Sequence, residues 1–143
     1  MATKANILLM DEDLPVRQAL ERALTVENFQ VVFAASMHEA EQRFGETHID
    51  VLLLGLNSRN ESGWDTVQRL TALQPLLPVI ITTARPGHQM SANTLTVDAW
   101  MEKPLDLPVL IQTLNELASQ TPDDRRRLVN ERPASAGNSL LRV

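Results

Sequence analysis

The feature of this chain that most limits its fold is a repeated change of period. Short unbroken apolar runs recur along the sequence, and the segments between them carry apolar residues at helical spacing. A parallel strand buried on both faces needs the first pattern, and the crossover helix that brings the chain back to the same edge of the sheet needs the second. "NILLM", Asn6 to Met10, is the first run; Val16, Leu20, Ala23 and Leu24 then mark one face of a helix over Leu14 to Val26, with Pro15 in its first turn. Phe29 to Ala34 reads as the second strand. Ser36 and Glu39 have the spacing of a capping box and predict a second helix after them. Val51 to Leu54 is a third strand, Gly63 to Leu73 a third helix, Val79 to Thr83 a fourth strand and Ala99 to Lys103 a fifth. The weakly patterned Pro86 to Thr96 is expected to supply the fourth helix. Leu107, Leu110, Ile111, Leu114 and Leu117 form the stripe of the fifth, with Asp106 as its cap. The fold class is α/β: five βα pairs, a doubly wound five-stranded parallel sheet.

At 143 residues the chain holds one domain with a real core, expected over 1–120, followed by 121–143 as a polar extension or linker. That last segment mixes proline, serine, glycine and charge and lacks an apolar stripe; its Arg125 to Arg127 run reads as solvated. Hydrophobic residues at 43% and charged residues at 22% exclude wholesale disorder. No apolar run approaches the ~20 residues of a membrane span, and "MATKANILLM" lacks the parts of a signal peptide, so the cytoplasm is expected. The absence of cysteine removes disulfides, thiolate nucleophiles and cysteine metal sites together. A net charge of −5 argues against direct nucleic-acid binding.

Ligands of an open parallel sheet gather beyond the carboxyl ends of its strands. Those ends carry Asp11, Glu12 and Asp13, then Gly55 and Asn57, then Thr82 and Thr83, then Lys103 and Pro104. Carboxylates suit Mg²⁺, a hydroxyl can donate to a phosphoryl oxygen, and an ammonium can neutralise another. Asp50 precedes its strand and Asp65 falls within a helix, so neither is expected at the pocket.

On these residues the chain, from about Ala5 to Gln120, resembles the response-regulator receiver domain of bacterial two-component signalling, a flavodoxin-like fold. Asp11 and Glu12, with Asp13, match its acidic triplet. "DVLLLGLNSRNESGW" matches its third strand and following loop. Thr83 stands at the switch hydroxyl, Lys103 at the lysine before proline, and Trp100 at the aromatic switch position. Where the family carries the aspartate that accepts phosphate, this chain has Gly55. Glycine has no atom that can form an acyl phosphate, so phosphotransfer at that position is excluded.

The resemblance therefore implies a degenerate phosphorylation pocket of Asp11, Glu12, Gly55, Thr83 and Lys103, with no catalysis. For Mg²⁺, Asp11, Glu12 and the Asn57 carbonyl supply fewer anionic ligands than the family uses, so no cofactor or only weak metal binding is expected. Output is expected through protein partners, a second copy of the chain among them. The implied face is built by the fourth helix, fifth strand and fifth helix, including Trp100, Met101, Gln112 and Asn115. An alternative is the sensing of a small anion or other ligand in the altered pocket. A further one rests on "ILLMDEDLPV", which resembles the first motif of haloacid-dehalogenase-type phosphatases, with Asp11 as nucleophile and Asp13 as acid/base; the acidic pair that motif needs after the lysine strand has no counterpart at Pro104, Leu105 and Asp106. His38, His48 and His88 are scattered and suggest no metal site or triad.

Overall fold

The computed structural model describes residues 4–56, 62–84 and 97–131. In chain order these form β1 (Asn6–Met10), α1 (Leu14–Val26), β2 (Gln30–Phe33), α2 (Met37–Glu46), β3 (Val51–Leu56), α3 (Ser62–Leu73), β4 (Val79–Thr83), β5 (Ala99–Glu102), α4 (Leu107–Ala118) and α5 (Pro122–Glu131). The helix expected over 86–96 lies outside the described residues, so α4 here is the helix that the leucine stripe marked. All neighbouring strands are parallel, in the order β2-β1-β3-β4-β5.

The unbroken apolar runs are explained by two cores, one on each side of the sheet. Leu8, Met10, Leu52, Leu54, Val79 and Ile81 face one cluster, which takes Ala40 from α2 and Val67 and Leu70 from α3. Ile7, Leu9, Val51, Leu53 and Ile80 face the other, closed by Leu20 and Leu24 from α1 and Leu110 and Leu114 from α4. Each fully buried leucine stabilises the fold by roughly 1.5–3 kcal/mol relative to an exposed one. A polar residue at any of these strand positions would face an apolar layer, so alternation is absent.

Capping residues fix where the helices begin. Asp13, Ser36 and Asp106 each accept the backbone N–H three residues on, from Val16, Glu39 and Val109. Glu39 returns a bond to the N–H of Ala35 at 3.0 Å, one residue earlier than the reciprocal partner of a capping box. Asn28 ends α1 in the left-handed region at φ 71°, which lets Phe29 N–H reach the Leu24 carbonyl at 3.0 Å. The two edge strands, β2 and β5, are four residues long. At the end of β2, Arg43 Nε donates to the Phe33 carbonyl at 3.1 Å.

Boundaries shift in several places. β3 runs on through Gly55 and Leu56 because both pair with β4, opposite Thr82 and Thr83. β2 and β5 are shorter than the spans expected, Phe29 to Ala34 and Ala99 to Lys103. The larger difference is at the C-terminal end, where a polar extension was expected and a helix, α5, is found instead. Thr121 Oγ1 accepts from Asp124 N at 3.0 Å, Asp124 Oδ2 accepts from Thr121 N at 3.3 Å, and Pro122 follows the cap. Arg125, expected in solvent, is 4% exposed. It donates to the Leu76 carbonyl at 2.9 Å and to Gln120 Oε1 at 3.1 Å, and meets Asp98 Oδ1 at 2.6 Å. The helix is docked by a charge instead of an apolar stripe.

Candidate functional site

Parallel pairing brings the carboxyl ends of β1, β3 and β4 side by side, with Met10 opposite Leu54 and Gly55 opposite Thr82. The first residue past β1 is Asp11, whose side chain is 4% exposed. Its Oδ1 accepts the N–H of Asp13 at 2.8 Å, which fixes the turn into α1, and its Oδ2 lies 3.0 Å from Lys103 Nζ. That second contact is ionic, without the alignment of a hydrogen bond. Lys103 is anchored in turn: its N–H donates to the Thr83 carbonyl at 2.7 Å, and a cis peptide joins it to Pro104.

The position of Gly55 gives this pair its meaning. A Cβ built on Gly55 would lie 2.6 Å from Asp11 Cγ and 3.2 Å from its Oδ1, so the carboxyl group of Asp11 fills the space that a side chain on Gly55 would enter. The charge that neutralises Lys103 thus comes from the end of β1, above a bare backbone on β3.

Beside this pair a cleft of about 510 Å³ opens between the β2–α2 connection and α3. Met10, Leu54 and Gly55 line it, Phe33 and Met37 add apolar surface, and Glu12, Arg17, Asp65 and Arg69 supply charge. Arg17 lies over the Phe33 ring with its guanidinium carbon 3.9 Å from the centroid. Asp65, expected away from the pocket, lines this cleft. Asp50 is at the other end of the sheet, where it accepts from the N–H of Asn6 at 2.7 Å.

Of the residues expected at the site, Asp11, Gly55 and Lys103 are brought into direct juxtaposition. Glu12 is exposed and lines the cleft. Thr83 is 1% exposed at the end of β4, and neither it nor Lys103 lines the cleft. Trp100, opposite Ile81, packs part-buried against the α2/α3 core, whereas Met101 packs against the α1/α4 core. Asn57 lies outside the described residues. Arg17, Phe33 and Arg69 were not expected at a cleft; the strand order could have indicated it, because the chain reverses direction across the sheet between β1 and β3, where crevices form.

Comparison with known proteins follows the same line. Residues 7–115 match the family model described as "Response regulator receiver domain". The chain is 27% identical over 136 residues to the transcriptional regulatory protein ZraR of Salmonella typhimurium, covering 94% of this chain and 31% of that protein. It is 32% identical over 108 residues to the swarming motility regulation protein RssB of Serratia marcescens, covering 74% of this chain and 49% of that one. The chain thus spans about a third to a half of the length of these relatives. A CheY-like receiver domain protein from Methanospirillum hungatei superposes with a TM-score of 0.72 at 19% identity, over 90% of this chain and 99% of that one. The receiver domain protein from Clostridium thermocellum gives 0.71 at 23% identity, over 87% and 98%. The fold, the family match and the matched span agree: this chain belongs to the response-regulator receiver domain family.

Proposed function

We propose that this receiver domain is a signalling module that works through protein contacts and without phosphorylation. One observation carries the reading: the carboxyl group of Asp11 stands in the space over Gly55 and holds Lys103 at 3.0 Å. In the resemblance drawn above, Gly55 takes the place of the phosphate-accepting aspartate and can form no acyl phosphate. Asp11 is no ready substitute, since one of its oxygens is held by the Asp13 N–H and the other by Lys103. The same engagement leaves a poor site for Mg²⁺. Among the described residues no three acidic or histidine side chains are grouped to hold a metal, and Glu12 faces solvent. Among the described residues, those expected to hold the ion do not fit it.

The module is read as non-catalytic and cytoplasmic, with output through the face that includes Met101 and the exposed Gln112 and Asn115 of α4. A protein partner, or a second copy of the chain, is its occupant. The test is incubation with acetyl phosphate and Mg²⁺ followed by intact and peptide mass spectrometry. The expected result is an unchanged mass; one phosphoryl group mapped to Asp11, or elsewhere around the pocket, overturns the reading.

A second reading, recognition of a small ligand beside the degenerate site, is favoured by the 510 Å³ cleft, a volume within the range of small-molecule sites. Titration with inorganic phosphate, and separately with beryllofluoride, separates the two. Saturable shifts of the Gly55 and Met37 amides support the ligand reading, and unchanged spectra support the first.

A further inference from the structure

Strand β5 is flanked at both ends by ion pairs, one buried and one part-buried. Asp98, the residue before it, meets Arg125 at 2.6 Å with side chains 3% and 5% exposed. Lys103, the residue after it, meets Asp11 at 3.0 Å with side chains 18% and 4% exposed. The same two residues are tied by backbone to β4, through Asp98 N–H to the Val79 carbonyl at 2.8 Å and Lys103 N–H to the Thr83 carbonyl at 2.7 Å. Asp98 Oδ2 also accepts from Val79 N at 2.8 Å. Only the four residues of β5 separate the two pairs.

The Asp98 end holds α5. Arg125 is the one buried residue of that helix; every other residue in it is exposed except the half-buried Val129. An isolated helix shorter than about 12–15 residues is marginal in water, so this ten-residue helix leans on the rest of the fold, and Arg125 is its buried contact there. The seat is incomplete, because Arg125 Nη2 is buried without a hydrogen bond. The docked state therefore has a weak point at its single anchor.

We propose that α5 is a latch whose hold is set through β5 by the Asp11–Lys103 pair. A partner that draws Lys103 away from Asp11 stabilises a shifted β5, moves Asp98, and frees Arg125 together with the helix it anchors. Such a partner acts because it favours the shifted state over the docked one. The device is independent of any chemistry at Gly55.

Hydrogen exchange read by mass spectrometry on the full chain tests it, comparing the wild type with Lys103→Met, Arg125→Met and the double variant. Amides of β1 and β3 report whether each variant is folded. The expected result is that each single change speeds exchange across 122–131 by about tenfold while β1 and β3 stay protected, because local opening rises without global unfolding. The double variant should exchange no faster there than Arg125→Met alone. If Arg125→Met loses protection in β1 and β3, Arg125→Lys, which keeps the charge and loses the planar fork, replaces it with the same expectation. Wild-type exchange of α5 in Lys103→Met shows that the two pairs are uncoupled and overturns the latch, and a protected α5 in the Arg125 variants overturns the anchor.

Discussion

Gly55 sits where two requirements meet: it leaves room for the Asp11 carboxyl group, and that group balances Lys103. Adding even one carbon forces Asp11 to move. Because what it meets is the end of a side chain, the backbone need not yield, and Gly55→Ala should cost about 1–3 kcal/mol, the usual range for overpacking. Chemical denaturation measures this, and the same change made on Asp11→Ala should cost distinctly less, since the colliding group is gone. Equal costs in both backgrounds mean that the carboxyl does not occupy the space. Gly55→Asp is the functional counterpart, because it returns a carboxylate to β3 only if Asp11 gives up Lys103. Acetyl phosphate should label Gly55→Asp and leave the parent unlabelled. Removing Lys103 tests the pair from the other side: Lys103→Met leaves the Asp11 carboxyl without its counter-charge and, the lysine being 18% exposed, should cost about 1–2 kcal/mol. The sequence carried the identities of these residues but not their arrangement. That Gly55 lacks a side chain is plain in the string; that Asp11 would fill the vacancy depends on a rotamer and on the register of β1 against β3, and neither leaves a mark on residue spacing.

At the scale of elements, caps and periodicity were legible and a charge-docked helix was not. The stripe on α4 and its Asp106 cap are found where the spacing put them, because an apolar face and an Asx cap are local devices. Asp106→Ala should lower stability by about 1 kcal/mol, the typical worth of an N-cap. α5 escaped notice because its anchor is an arginine and its acceptors, Asp98 and the Leu76 carbonyl, are remote in sequence. Its N-terminus nevertheless makes a prediction about pH. The backbone N–H of Thr121, and then its hydroxyl, hold the carboxyl of Asp124 below its ordinary value of 3.8. A lowered folded value means that this contribution is complete above the ordinary carboxyl range and is lost as the pH falls through the lower folded one. Cα chemical shifts of the first turn, 121–124, should therefore keep their values at neutral pH and move toward coil below about 3.8. Asp124→Asn should flatten that dependence; an identical acid profile in the variant assigns the fraying to another group.

For the molecule as a whole, fold class, strand count and parallel sense were readable because a sheet buried on both faces writes itself as consecutive apolar residues. The end of the structured region was not. Ending the chain at Gln120 removes Arg125 and with it the guanidinium that meets the buried Asp98, so truncation should lower the midpoint of thermal unfolding clearly, where an unattached tail would leave it unchanged. The sheet also has two open margins, and each is only four residues long. One ends with its last carbonyl occupied by Arg43, and the other is pinned by salt bridges just outside both of its ends. Long, flat, unguarded edges are what recruit further strands into fibrils, and they are also what strand-adding ligands recognise. A protein with margins this short offers little backbone for either, so concentrated solutions should stay free of thioflavin-positive material.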